Sequence, residues 1–319
     1  MILILFLMIA GFAFLIKGAD LLVHGASALA KKHQVSDMVI GLTIVAFGTS
    51  TPELVVNSLA SVQSHADIVY GNILGSNIVN LFLILGIVGV IAPFTVKSTT
   101  IRKEMPISIL AVALIWILSN QLLPFQQNIL SRFDGSILLL LFMLFLVYIF
   151  RQMKRDKMNA EPVEDEHLPN WKIWGLIFIG LSGLVLGGKL VVDSAVKIAE
   201  ALSVSEKIIG LTIVAIGTSL PELVTSVVAA LKKNSDIALG NVIGSNIFNV
   251  LLILATSALI RPVQFNPEFN IEIYLLAVGT SLLFVSMFTG TKKKLDRWEA
   301  LILLVIYLAY TGWLIAKEI

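Results

Sequence analysis

The chain contains no cysteine. Disulfides, thiolate metal sites and cysteine nucleophiles are therefore excluded. Charge is scarce: 14% of the 319 residues are Asp, Glu, Lys or Arg, against about 25% in an ordinary soluble domain. A formal net charge of +2 leaves no basic footprint for DNA or RNA. Apolar residues are what the chain has in excess. They make up 57% of it, and the mean hydropathy is +0.92. Apolar runs of about 18 residues or more recur throughout, the length that crosses a bilayer as a helix. Only helices and closed barrels satisfy their backbone in lipid, and strand alternation is missing. The composition thus excludes a soluble enzyme, a disordered chain and a nucleic-acid binder. It specifies an all-α integral membrane protein.

Ten apolar stretches are expected as spans: 2–30, 39–62, 68–91, 106–123, 137–150, 173–201, 208–231, 237–260, 271–288 and 300–316. The first and sixth are long enough to tilt or project from the bilayer. Ala28-Leu29-Ala30 resembles a leader cleavage site. However, no Lys or Arg precedes the run, and Lys17, Asp20 and His24 interrupt it, so an uncleaved first span is expected. With the N-terminus outside, inside loops carry 16 of the 23 Lys and Arg and outside segments carry 5. That bias predicts both termini outside. The one sizeable polar segment, 151–170, mixes charges of both signs with Pro162 and Pro169, and reads as a cytoplasmic linker. A Ca2+ sensor built on Glu164, Asp165 and Glu166 would need a Gly-centred ligand loop, which is absent. The expected organisation is a first unit 1–150, the linker 151–170 and a second unit 171–319.

An internal repeat governs the rest. Gly41-LTIVAFGTSTPELV-Val56 returns as Gly210-LTIVAIGTSLPELV-Thr225, and Gly71-NILGSNIV-Asn80 returns as Gly240-NVIGSNIF-Asn249. The offset is 169 throughout, with 23 identities in 40 positions. Gly11 and Gly18 match Gly180 and Gly187, and Ser36 and Asp67 match Ser205 and Asp236. These Ser and Asp residues are expected to cap the following spans. Five spans separate the copies, so the second is expected to run through the membrane inverted, an architecture of many secondary transporters. Duplication kept only for packing would preserve small and apolar positions. Here polar positions persist too: Thr49/Thr218, Ser50/Ser219, Glu53/Glu222, Ser76/Ser245 and Asn80/Asn249.

Glu53 and Glu222 lie inside apolar spans, where a carboxylate costs on the order of 3 kcal/mol by insertion scales. Such residues bind ions, carry protons or pair with a cation. Lys17 and Lys189 are the only cations at depth, and each has a nearer carboxylate in Asp20 or Asp193. Pro52 and Pro221 cannot donate to the carbonyls of Gly48 and Gly217, so a break is expected at 48–50 and 217–219. Asn72, Ser76 and Asn80 form a polar stripe at i, i+4, i+8, as do Asn241, Ser245 and Asn249. Asn77 and Asn246 read as interhelical hydrogen-bonding residues. The resulting donor set is all oxygen, without His or thiol. It suits Ca2+, with about 6–8 oxygens in flexible geometry, better than Zn2+, Cu2+ or Mg2+. Two negative charges are balanced by one Ca2+, or by two or more Na+ or protons.

GTS-x-PEL followed by GN-x-x-GSN, present twice, resembles the sodium/calcium exchanger branch of the calcium/cation antiporter superfamily, in its short prokaryotic form. The resemblance covers essentially all ten spans. It implies ten helices in two inverted halves, with helices 2 and 7 broken around a midplane site. It also implies exchange of several Na+ for one Ca2+, three to one in the family scheme, by alternating access. By carry-over, Glu53 and Glu222 ligate Ca2+ and Na+. Thr49, Ser50, Thr218 and Ser219 supply hydroxyl or carbonyl oxygens, Ala46 and Ala215 supply backbone carbonyls to Na+ sites, and Ser76, Asn80, Ser245 and Asn249 complete the set. The long first and sixth helices slide to switch access. Some relatives carry Asp where Asn249 stands, so Asn argues against K+ co-transport. Proton/calcium exchangers typically place His where Leu54 and Leu223 stand, which disfavours proton coupling.

The leading expectation is a Na+/Ca2+ antiporter that extrudes Ca2+, a monomer in membrane lipid without cofactor or nucleic-acid partner. A Ca2+/H+ or other cation exchanger on the same scaffold is the runner-up. An intramembrane hydrolase is disfavoured, because no His or Lys base accompanies Ser50 or Ser219. A passive channel would conduct without a counter-ion.

Overall fold

The computed structural model describes residues 2–96, 98–120, 128–159, 168–201, 215–289 and 293–318. Its helices are α1 (Ile2–His33), α2 (Asp37–Thr49), α3 (Thr51–Val62), α4 (Ala66–Ile91), α5 (Ser98–Arg102), α6 (Glu104–Asn120) and α7 (Arg132–Asn159). They continue as α8 (Asn170–Ala201), α9 (Ala215–Thr218), α10 (Leu220–Leu231), α11 (Ser235–Ile260), α12 (Asn270–Ser286) and α13 (Arg297–Glu318). Among the described residues, seven helices are long and apolar enough to cross a membrane, and the bent pair α2–α3 makes an eighth. The protein is therefore an all-α membrane protein. Two further expected spans meet undescribed stretches. Helix α6 has 17 residues and ends where 121–127 begin, and α10 has 12 residues and follows 202–214. The cap expected at Ser205 and the repeat residues 210–214 fall in that second stretch, and Pro162, Glu164, Asp165 and Glu166 of the linker fall in 160–167; all lie outside the described residues.

Helices α4 and α11 form the buried centre. Their apolar windows are 78% and 94% buried, whereas those of α1, α7, α8, α12 and α13 are 22–33% buried. The difference follows from sequence. The central pair carries the repeated Gly, Ser and Asn residues that pack and hydrogen-bond between helices, and the outer helices carry large apolar side chains suited to lipid. Among the described residues the only strands are two-residue ties. Phe94–Thr95 pairs with Lys294–Leu295, and Ile129–Leu130 with Val263–Gln264. Each joins the first half of the chain to the second.

Helices α1 and α8 cross in close contact through matched glycines. A methyl group on Gly18 would lie 2.8 Å from the Gly180 carbonyl oxygen, and one on Gly187 would lie 2.7 Å from that of Gly11. Only hydrogen fits there, which lets the two backbones touch.

The helix starts correct two expectations. Ser36 occupies an N-cap position, but its hydroxyl makes no capping bond, and its N–H is given instead to Asp156 Oδ2 at 3.1 Å. Asp67 and Asp236 lie in the first turns of α4 and α11 rather than at their caps, which are His65 and Asn234. Asn234 Oδ1 accepts from Ile237 N at 3.1 Å. Asn combines a short acceptor with tolerance of a turn backbone, and the aspartates one turn inside complement the helix dipole. The first part of the expected linker is helical. Residues 151–159 continue α7, because no proline or glycine interrupts the run before Pro162 and Gln152 bridges to Asp156 one turn on (2.9 Å).

Candidate functional site

The break expected near Pro52 is present. Ser50 leaves the helix (φ −83°, ψ 8°), and α2 and α3 meet at 47°. Ser219 adopts nearly the same backbone (φ −88°, ψ 7°) between α9 and α10. Proline thus sits in the first turn of a new half-helix, where its missing N–H is not needed. Glu53 and Glu222 follow it in the same turn, where the helix dipole favours negative charge. A serine at such a position normally accepts a bond from its own helix, worth about 1 kcal/mol. Neither serine does so.

Their hydroxyls cross instead to the other copy of the repeat. Ser50 Oγ donates to Glu222 Oε1 at 2.9 Å, and Ser219 Oγ donates to Glu53 Oε1 at 3.5 Å. A hydrogen bond to a charged acceptor contributes about 1.5–3 kcal/mol, which offsets the forgone cap. Thr49 and Thr218 repeat the exchange. Thr49 Oγ1 donates to Asn241 Oδ1 (3.0 Å) and Thr218 Oγ1 to Asn72 Oδ1 (3.2 Å). One level on, Asn80 Nδ2 donates to Asn246 Oδ1 (3.0 Å) and Asn249 Nδ2 to Asn77 Oδ1 (2.9 Å). Every one of these bonds joins the first copy to the second.

Both carboxylates are 1% exposed, and among the described residues neither has a Lys, Arg or His within salt-bridge distance. Lys17 pairs with Asp20 at 3.2 Å, and Asp20 also meets Lys232. After all the bonds above, five buried oxygens of the expected site residues have no hydrogen-bond partner among the described residues: Glu53 Oε2, Glu222 Oε2, Ser76 Oγ, Asn80 Oδ1 and Asn249 Oδ1. The two Asn side chains give their NH2 groups to Asn246 and Asn77, which leaves each carbonyl oxygen free. Buried polar atoms are nearly always paired, so a cluster of five orphaned acceptors points to a cation. Among the described residues no three His, Asp or Glu gather, so two formal charges are all the site offers. Asn80 and Asn249 lie in wide π-helical turns, Val79–Ile84 and Asn249–Leu254. Such turns often mark functional positions.

The remaining expected residues are less uniform. Ser245 Oγ donates to Glu222 Oε1 at 3.5 Å, whereas its counterpart Ser76 has no partner. The Ala46 carbonyl already accepts from Ser50 N (3.0 Å), with Thr49 Oγ1 3.3 Å away as an alternative donor. Near Ala215 the chain departs from that pattern, since Ser219 N turns to Ile216 O at 3.1 Å. Sequence reasoning overlooked Asn57 and Ser226, which also stand 169 apart. Asn72 Nδ2 donates to Asn57 Oδ1 (3.2 Å) and Asn241 Nδ2 to Ser226 Oγ (3.0 Å). The signal was available: a polar side chain one turn after each Glu in an apolar helix.

The family model described as sodium/calcium exchanger protein matches residues 3–151 and 172–316. The chain belongs to the sodium/calcium exchanger family. Within that family it is 38% identical over 311 residues to a putative antiporter, CaxA, of Alkalimonas amylolytica, covering 95% of both chains. It is 32% identical over 342 residues to the sodium/calcium exchanger MaX1 of Methanosarcina acetivorans, covering 95% of this chain and 96% of that one. Among solved structures, the sodium-calcium exchanger NCX_Mj soaked with Na+ and Sr2+ superposes with a TM-score of 0.82. It is 33% identical and covers 98% of both chains. This family member is thus of the short prokaryotic type.

Proposed function

We propose that the protein is a Na+/Ca2+ antiporter that extrudes Ca2+ by alternating access. The observation that carries this reading is a set of five unpartnered buried oxygens from both copies of the repeat, two of them on the unpaired carboxylates themselves. The set is hard, flexible and doubly negative. One Ca2+ neutralises it, and so do two Na+. Occupancy by one ion excludes the other, which is the physical requirement for exchange. The family of the chain and the names of its relatives point the same way.

In this reading Glu53 and Glu222 are shared by Ca2+ and Na+. Ser76, Asn80, Ser245 and Asn249 supply side-chain oxygens, and Thr49, Ser50, Thr218 and Ser219 position the carboxylates or ligate in turn. Ala46 and Ala215 offer carbonyls to flanking Na+. The chain forms ten spans in two inverted units, 1–150 and 171–319, joined by 151–170. It works as a monomer in the plasma membrane with both termini outside. Two observations support this topology: the reciprocal bonds between the copies and the bias of Lys and Arg. The α1–α8 glycine contact is smooth enough for the two helices to slide. Exchange of three Na+ for one Ca2+ moves one charge, so a negative interior contributes about 2.3 kcal/mol per 100 mV to extrusion.

The test is 45Ca uptake into proteoliposomes loaded with Na+. Uptake should require the outward Na+ gradient and should increase when the vesicle interior is made positive. Uptake indifferent to Na+ but dependent on a pH gradient would select Ca2+/H+ exchange instead.

A further inference from the structure

The two copies of Gly-Asn-x-x-Gly-Ser-Asn share their sequence but not their surroundings. On α11, a methyl group on Gly240 would lie 2.8 Å from the Met38 carbonyl oxygen, and one on Gly244 2.7 Å from Ala46 Cβ, so this copy is sealed against α2. Asn241 between them is fully buried. On α4, a methyl group on Gly71 would meet only the Phe269 ring, at 3.9 Å, and one on Gly75 nothing within 4 Å among the described residues. Asn72 is half-buried there and borders, with Thr218, a cavity of about 540 Å3, ample room for water.

The two amides are also held differently. Asn241 Nδ2 donates to the Glu222 backbone carbonyl at 3.3 Å and to Ser226 Oγ at 3.0 Å. A carbonyl only accepts, so the amide nitrogen must face it and the amide oxygen faces Thr49. The single hydroxyl proton of Thr49 therefore lies between two acceptors, Asn241 Oδ1 at 3.0 Å and Ala46 O at 3.3 Å. Whichever takes it, the lone pairs of Thr49 stay available to a cation. One buried amide thus connects the end of α2, the first turn of α10 and α11. Asn72 reaches side chains alone. It accepts from Thr218 and donates to Asn57 Oδ1, at 3.2 Å each, and among the described residues it makes no bond to the Glu53 backbone.

We propose that Asn241 is a positioning residue for ion binding: it holds Thr49 and the Glu222 half-helix in register across the two copies, while Asn72 gives Glu53 no equal support. The inference rests on the ion-site reading above. Removing the Asn241 amide leaves its partners unpaired where the packed glycines admit no water. Removing the Asn72 amide does so beside a cavity, from which water replaces the lost bonds.

Equilibrium 45Ca binding to the purified full-length protein, together with Na+-driven 45Ca uptake, tests the assignment. Asn241→Leu should weaken Ca2+ binding about tenfold and raise the KM for Ca2+ in proportion, with the maximal rate per folded transporter within about twofold of wild type. Ser226→Ala, which removes only the outer brace of the amide, should raise Kd and KM about threefold. Asn72→Leu should raise them less than Asn241→Leu does. A purely structural asparagine would lower the yield of folded protein and the maximal rate while leaving Kd and KM in place. That outcome, or a larger loss of affinity in Asn72→Leu, overturns the proposal; if Asn241→Leu does not fold, an unchanged Kd in Ser226→Ala does so. A wild type that binds no Ca2+ overturns the ion-site reading and this inference with it, whereas unchanged affinity in the variants of a Ca2+-binding wild type overturns this inference alone.

Discussion

Glu222→Gln separates what the buried acid does for folding from what it does for ions. The side chain is 1% exposed, and Oε1 already accepts from Ser50 Oγ at 2.9 Å. Glutamine has the same shape and keeps that acceptor, and its amide nitrogen replaces Oε2 in a site rich in unpartnered oxygens. The lost quantity is one negative charge. At a Ca2+–oxygen distance of about 2.4 Å, Coulomb's law with an effective dielectric of 20 gives about 14 kcal/mol of gross attraction. Desolvation opposes this by several kcal/mol per ion. A net loss on the order of 4 kcal/mol, about a thousandfold in affinity, is a conservative floor. The ion-free protein should move the other way, since a buried carboxylate costs on the order of 3 kcal/mol in the membrane and an amide costs less. Thermal unfolding in detergent reads both effects. Without ions, the variant should melt at or above the wild-type temperature. Calcium at a hundred times the wild-type Kd should stabilise the wild type by about 2.7 kcal/mol and leave the variant unmoved. An ion-free variant that melts well below wild type, or one that keeps the Ca2+ shift and Na+-driven flux, would refute the reasoning.

Asn249→Asp places an acceptor against Asn77 Oδ1, now 2.9 Å from the Asn249 amide nitrogen. The ion-free protein should lose about 1–3 kcal/mol, and the added charge should change the Na+ dependence or introduce K+ sensitivity of 45Ca flux. Ser50→Ala should destabilise the ion-free protein more than Ser219→Ala, because their bonds to the opposite carboxylate are 2.9 and 3.5 Å. Equal melting temperatures would count against the reciprocal-bond account. Gly180→Val would force a methyl to within 2.7 Å of Leu22 N and 2.8 Å of the Gly18 carbonyl. A loss of roughly 1–3 kcal/mol by overpacking, together with slowed flux, is expected and is read by melting and transport.

Much of the site was legible because a duplicated sequence exposes its own polar exceptions. Glu53 and Glu222, the breaks at Ser50 and Ser219, and the stripes on α4 and α11 all follow from local rules: proline removes a donor, and a carboxylate is costly in lipid. The interhelical role of Asn77 and Asn246 was legible for the same reason. The caps were misjudged because Ser36, Asp67 and Asp236 compete with neighbours that the periodicity does not rank. Asn57 and Ser226 were missed because they differ between the copies, and identity was the signal being followed.

By itself, the chain's order of residues determined that it is helical, that it lives in lipid, and which side chains are too polar for that solvent without a purpose. Each of these depends on a residue and its neighbours within a few turns. Partnership was decided only in three dimensions. Ser50 forgoes its own helix for Glu222, the amides of Asn80 and Asn249 turn to Asn246 and Asn77, and their oxygens are thereby left free. Those choices join residues more than 160 positions apart, where spacing along a helix carries no information and packing alone brings the groups within reach.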